Sequence, residues 1–140
     1  MIERWGAREA GYGIATWEGR SGRVEVARVA DRPPAGPALR VLVDRLWPRG
    51  VAPAEAPWDA WLPALAPTTG LGRWYGRDPQ RREEFSRRYR LQLQGGAGLH
   101  ALQDLRDLAS GRPVLLLTSA RSPESSQAAV LAGFLNGEAD

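Results

Sequence analysis

The chain has 140 residues, 43% of them hydrophobic, a formal net charge of +3 and no cysteine. That length and apolar content suit one packed domain and exclude a disordered chain. The lack of cysteine excludes disulfides, thiolate nucleophiles and thiolate-bound metals, and no apolar run reaches the roughly 18 residues a membrane helix needs.

The opening Met1-Ile2-Glu3-Arg4-Trp5 has no secretory apolar stretch behind it, so a cytoplasmic protein without membrane partners is expected. Every basic residue is arginine, and the excess is local. Residues 71–90 hold seven arginines against three acids, the remainder twelve against thirteen. Such a cluster suits an anionic partner, although a solvated helix face is the plainer account of it.

Residues 1–23 form an N-terminal extension, irregular or with short strands; Gly11-Tyr12-Gly13 and Gly19-Arg20-Ser21-Gly22 are turn-like, with 14–17 a candidate strand between them. Residues 24–137 read as a single α/β domain. Period-two alternation predicts a strand over 24–29, and three prolines and a glycine make 31–37 a loop. Residues 39–44 carry consecutive apolar side chains, as a strand buried on both faces of a parallel sheet does.

Trp58, Trp61, Leu62 and Leu65 then recur at spacings of three and four, which predicts a helical stripe within 53–66, bent or ended at Pro63. A short helix is expected over 71–75. Asp78-Pro79 is a helix start, with Asp78 as the cap and Phe85, Tyr89 and Leu93 on one face. Glu83 and Glu84 stand four residues before Arg87 and Arg88, in the favourable order for internal pairs.

A further helix is expected over 97–109, with Leu102, Leu105 and Leu108 buried, His100 on the polar face and Gly111 closing it. Val114–Thr118 is a second buried strand, and Ser122-Pro123 opens the last helix. Strands alternating with helices predict a small three-layer α/β domain with a mainly parallel sheet, residues 39–44 and 114–118 being adjacent parallel strands. Strand order is not readable.

Ligands of parallel sheets sit beyond the carboxyl ends of the strands. Here those ends carry Asp44, Arg45, Trp47 and Arg49 after one strand and Thr118, Ser119 and Arg121 after the other. The arginines offer fixed planar donors, the hydroxyls further hydrogen bonds, and Trp47 a wall, a mix suited to phosphate or carboxylate. Each also has a plain structural reading: Asp44 and Arg45 as a loop-pinning pair, Trp47 as a core plug, Thr118 and Ser119 as local caps. Asp44 is the best carboxylate for acid/base work but has no partner carboxylate. No metal-ligand spacing, Walker loop or dinucleotide fingerprint is present, so no cofactor is expected.

The run Arg40-Val41-Leu42-Val43-Asp44-Arg45-Leu46-Trp47-Pro48-Arg49-Gly50 resembles the signature of the YeaO-like family, within the bacterial domain of unknown function 488. Trp61-Leu62, Ala66-Pro67, Leu71-Gly72-Arg73-Trp74-Tyr75-Gly76, Asp78-Pro79, Phe85, Arg88-Tyr89 and Val114-Leu115-Leu116-Leu117 resemble it too, so the similarity covers roughly residues 24–135. The resemblance implies a small cytoplasmic α/β protein and supplies no reaction. Four positions depart from the family pattern: Arg77 replaces a usual His, Arg121-Ser122 a Lys-Asp pair, and Ser126 an Asn. Where those groups carry chemistry in relatives, the departures imply binding without turnover.

The leading expectation is therefore a site for a small anionic or phosphorylated ligand, with the question of catalysis open. The alternative is a nucleic-acid module that stacks and grips through Arg73, Trp74, Tyr75, Arg77 and Arg81. A third is a structural or protein-interaction domain using the Trp-rich segment. Oligomeric state is not readable.

Overall fold

A computed structural model describes residues 6–7, 12–13 and 24–138. Strands β1 (Gly6–Ala7) and β2 (Tyr12–Gly13) pair antiparallel, so Tyr12 and Gly13 belong to a strand and not to the expected turn. The candidate strand at 14–17 and the turn at 19–22 lie outside the described residues.

The domain is α/β, built on a four-stranded parallel sheet of β3 (Val24–Arg28), β4 (Leu39–Leu42), β5 (Ala60–Trp61) and β6 (Val114–Thr118), in the order β3-β6-β4-β5. The two apolar runs are adjacent and parallel, as expected. Val24 and Leu39 both stand level with Val114, so β6 is held in one register from both sides. Beyond Leu42 the pairing continues through the Val43 amide, which donates to the Leu117 carbonyl at 3.1 Å. β3 is an edge strand, and Asn136 closes its first residue by accepting from the Val24 amide and donating to the Val24 carbonyl.

Three layers result. On one face Val24, Leu39, Val41, Val43, Val114 and Leu116 pack against α1 (Thr69–Tyr75), α2 (Arg82–Gln92), α3 (Gly96–Ala109) and α4 (Gln127–Leu135). On the other, Val29, Leu42 and Leu117 are covered by Trp47, Trp58 and Trp61.

This second cover overturns the helical stripe predicted within 53–66. The segment forms two 3₁₀ turns, Pro53–Glu55 and Pro63–Leu65, flanking β5. Proline disfavours helical geometry in the residue before it. Accordingly Ala56, before Pro57, has ψ 128°, and Leu62, before Pro63, has ψ 78°. The stripe is split between faces: Trp58 and Trp61 lie under one side of the sheet, Leu62 and Leu65 on the other.

Smaller differences follow local chemistry. α1 begins two residues earlier than expected because the Thr68 hydroxyl accepts from the Leu71 amide. Asp78 does cap, accepting from the Gln80 amide at 3.0 Å, but a 3₁₀ turn precedes α2. Ser122-Pro123 opens only a 3₁₀ turn; α4 starts after Ser126. Leu108, expected inside, is 47% exposed, whereas Leu102 and Leu105 are buried. His100 is exposed. Among the described residues no helix is long and apolar enough to cross a membrane.

Candidate functional site

Asp44 follows β4 by two residues and is only 8% exposed. Its Oδ1 accepts from the Thr118 hydroxyl at 2.8 Å and from the Gln127 side-chain amide at 3.1 Å. Its Oδ2 accepts from the Ser119 amide at 2.8 Å and the Ser119 hydroxyl at 2.6 Å. A carboxylate has about four lone-pair positions, and all are taken. The Asp44 backbone carbonyl accepts from the Trp61 indole at 2.8 Å. One residue thus ties together β4, β6, the first residue of α4 and β5.

Arg45 turns to the chain and not to Asp44. Its guanidinium donates to the Pro67 carbonyl at 3.0 and 3.2 Å and to the Ala66 carbonyl at 3.1 Å. The guanidinium presents its N–H groups in a rigid planar fork, a geometry that the compact ammonium of lysine, on a flexible stem, does not reproduce. Arg45→Ala is expected to lower stability by about 1–2 kcal/mol, and Arg45→Lys to recover little of it. Urea melts within about 0.5 kcal/mol of the parent for both variants would refute this role.

Trp47 lies edge-on to Trp58 and Trp61, with ring centroids 4.8 and 5.5 Å away, and its indole N–H donates to the Val51 carbonyl. It is a plug under the sheet. Thr118 is buried, and its hydroxyl oxygen also accepts from the Ala120 amide at 3.1 Å. Arg49 and Arg121 differ from these neighbours. Both are exposed and neither makes a hydrogen bond or ion pair among the described residues. Arg49 is followed by Gly50, whose φ of +82° makes the turn that glycine tolerates best.

The second group of candidates is split. Tyr75 is core: it is 4% exposed, stacked on Phe85 at 4.1 Å, and donates to the Ser125 carbonyl. Trp74 is half-buried with the guanidiniums of Arg81 and Arg88 at 5.1 and 4.8 Å from its ring centroid. Arg81 also donates to the Trp74 carbonyl and pairs with Asp78. Arg87 and Arg88 donate to Glu84 and hold its carboxyl well down, to about 2. Arg73 and Arg77 are exposed, without a hydrogen bond or ion pair among the described residues.

Gln127, the fourth donor to Asp44, is not singled out in the sequence, and Trp61 enters there as part of a helical stripe and a family motif, not as a donor to Asp44. Nothing local marks either contact. Gln127 opens an apolar helix nine positions after Thr118, and only the fold brings it under the carboxylate. Among the described residues no group of three or more His, Asp or Glu side chains could hold a metal ion.

This sheet, with its Asp44 tie and Arg45 fork, belongs to a defined group: residues 23–140 match the family profile described as "Inactive DUF488-N3 subclade", and the chain is a member of that YeaO-like family. The uncharacterized protein Rv3073c of Mycobacterium tuberculosis is 40% identical over 118 residues, 84% of this chain and 98% of the relative. The uncharacterized protein Mb3100c of Mycobacterium bovis matches to the same extent. The uncharacterized protein YeaO of Escherichia coli is 31% identical over 114 residues, 80% of this chain and 96% of the relative. No solved structure matches the chain.

Proposed function

We propose that the protein binds a small anionic or phosphorylated ligand without transforming it, through Arg49 and Arg121 at the carboxyl ends of β4 and β6. The observation that carries this reading is the contrast in how the polar side chains are used. Asp44, Arg45, Trp47 and Thr118 are committed to the protein's own groups. Arg49 and Arg121, on the loops after two adjacent parallel strands, are exposed and uncommitted among the described residues.

Arginine edges of this kind suit phosphate and carboxylate oxygens. Asp44 has no free lone pair with which to take a proton, which favours binding over acid/base work. The word "inactive" in the description of the matched family agrees with that.

The test is a panel of inorganic phosphate, sugar phosphates and nucleoside monophosphates, read by thermal shift and calorimetry. At least one should bind with a Kd of about 1 mM or lower. Arg49→Ala or Arg121→Ala should weaken it about tenfold with stability unchanged within about 0.5 kcal/mol. A flat melt across the panel refutes the reading, as does full affinity in the double variant. Conversion of any bound compound to product refutes its non-catalytic half. Nucleic-acid binding through 71–90 is the weaker reading, because Tyr75 offers no face to a base and Trp74 already carries two guanidiniums.

A further inference from the structure

A second surface lies on the helical layer, formed by α1 and α2. Leu71 and Trp74 of α1 and Arg88 and Leu91 of α2 line an open groove of about 600 Å³. Leu91 is 58% exposed although it is a large apolar side chain, and Leu71 and Trp74 are only partly covered. An apolar floor left open on a helix pair is the feature into which amphipathic segments dock.

The rim is cationic. Arg81 and Arg88 lie over the Trp74 ring; Arg81 pairs with Asp78, while Arg87 and Arg88 share the single carboxylate of Glu84, which leaves a net positive charge there. Arg73, on α1 beside the lining residues, is exposed and has no hydrogen bond or ion pair among the described residues. Residues 71–90 hold seven arginines against three acids, while the rest of the chain is close to balance. Two of those seven, Arg82 and Arg90, line a different groove, and the charge left around this one, from Arg73 and from Arg87 and Arg88 sharing Glu84, is positive and favours negative occupants.

We propose that the groove between α1 and α2 docks an acidic segment of a partner protein, one that places aliphatic side chains on Leu71 and Leu91 and carboxylates on the surrounding arginines. The floor decides between this occupant and a nucleic acid. Bases bind by stacking on open aromatic faces. Here the ring of Trp74 is engaged, Tyr75 is buried, and the remaining floor is leucine. A side chain of leucine or isoleucine fits that floor; a base gains little from it.

The experiment is selection from a displayed library of random 12-residue peptides on the full chain, followed by polarisation titration of the winning peptides as labelled synthetics. Enriched sequences should be net acidic, with two aliphatic residues at helical spacing. They should bind with a Kd on the order of 10–100 μM. Affinity should fall about tenfold in Leu91→Glu, and again in Arg73→Glu or when salt is raised from about 50 to about 500 mM. Leu91→Ser serves as the second variant should Leu91→Glu lose its helical circular dichroism.

No enrichment, enrichment of neutral or basic peptides, or peptides indifferent to both Leu91 variants would overturn the proposal. A labelled 12-nucleotide single strand is titrated in parallel. If it binds more tightly than the peptides and loses affinity in the same variants, the occupant is nucleic acid and the proposal fails. Arg49 and Arg121 are untouched throughout, so anion binding at the strand ends is judged separately.

Discussion

Asp44→Ala is expected to lose roughly 3–5 kcal/mol of folding stability. The carboxylate satisfies four donors from Thr118, Ser119 and Gln127, and Asp44 itself is only 8% exposed. Its removal strands the buried Thr118 hydroxyl outright and leaves the part-buried donors of Ser119 and Gln127 without their acceptor, and an unsatisfied buried group costs about 1–3 kcal/mol. Relaxation and entering water return part of that sum, since the Ser119 hydroxyl can turn outward.

Asp44→Asn should cost less, about 2 kcal/mol, because one oxygen is kept while the new NH₂ group confronts donors. Equilibrium urea unfolding of the three proteins at neutral pH measures both. The outcome also separates two roles for the residue. Groups held for chemistry are commonly neutral or costly to stability, and removing them leaves a protein as stable or more so. A loss under about 1 kcal/mol for Asp44→Ala would return Asp44 to the list of acid/base candidates.

Phe85→Ala should be comparably severe, at about 3–5 kcal/mol. Phe85 is fully buried, stacked on Tyr75 at 4.1 Å with planes 11° apart, and packed against Tyr89 at 5.5 Å. Truncation leaves a cavity between two rings whose hydroxyls are both anchored. Tyr75 donates to the Ser125 carbonyl and Tyr89 to the Leu65 carbonyl. Neither ring can move in to fill the space without breaking its hydrogen bond, so little of the cost is recovered by relaxation. Burial also pushes the Tyr89 phenol upward, which favours the protonated form that donates to the Leu65 carbonyl. A change below about 1.5 kcal/mol, with an unaltered denaturant slope, would mean that this triple stack does not organise the helical layer.

The residues that proved legible are those whose burial leaves a pattern. Val41, Leu42, Val43, Leu116 and Leu117 are all fully buried, and runs of that kind mark interior parallel strands. The ends of two such strands lie side by side when the strands are parallel neighbours, which groups Asp44, Thr118 and Ser119 from the sequence. What each polar group bonds to was not legible. Arg45, Arg82 and Arg112 all donate to backbone carbonyls more than twenty residues away. A carbonyl is carried by every residue and leaves no mark in the sequence, so a structural arginine looks like a ligand-binding one.

The Trp58 and Trp61 spacing failed for another reason. Two prolines, at 57 and 63, interrupt a three-and-four pattern that a helix would otherwise produce. The pattern arose because a strand and two turns alternate between the sheet's faces. In that stretch the backbone restriction at proline is stronger than the periodicity.

The central position of β6 has a consequence for how the protein is made. β3 and β4 lie on opposite sides of β6 and bond to it, not to each other. A ribosome delivers residues in order, at about 5–20 per second, so the two flanking strands emerge long before the keystone between them. Until Val114–Thr118 appears, each presents an unsatisfied edge, and no shorter nascent chain can close the sheet. Helix pairs such as α1 and α2 depend on local contacts and can form early, but the sheet waits on pairings that span up to ninety positions, from Val24 to Val114. The sheet therefore closes only once Val114–Thr118 has been made, and in the interval the edges of β3 and β4 that face β6 are open to wrong pairing.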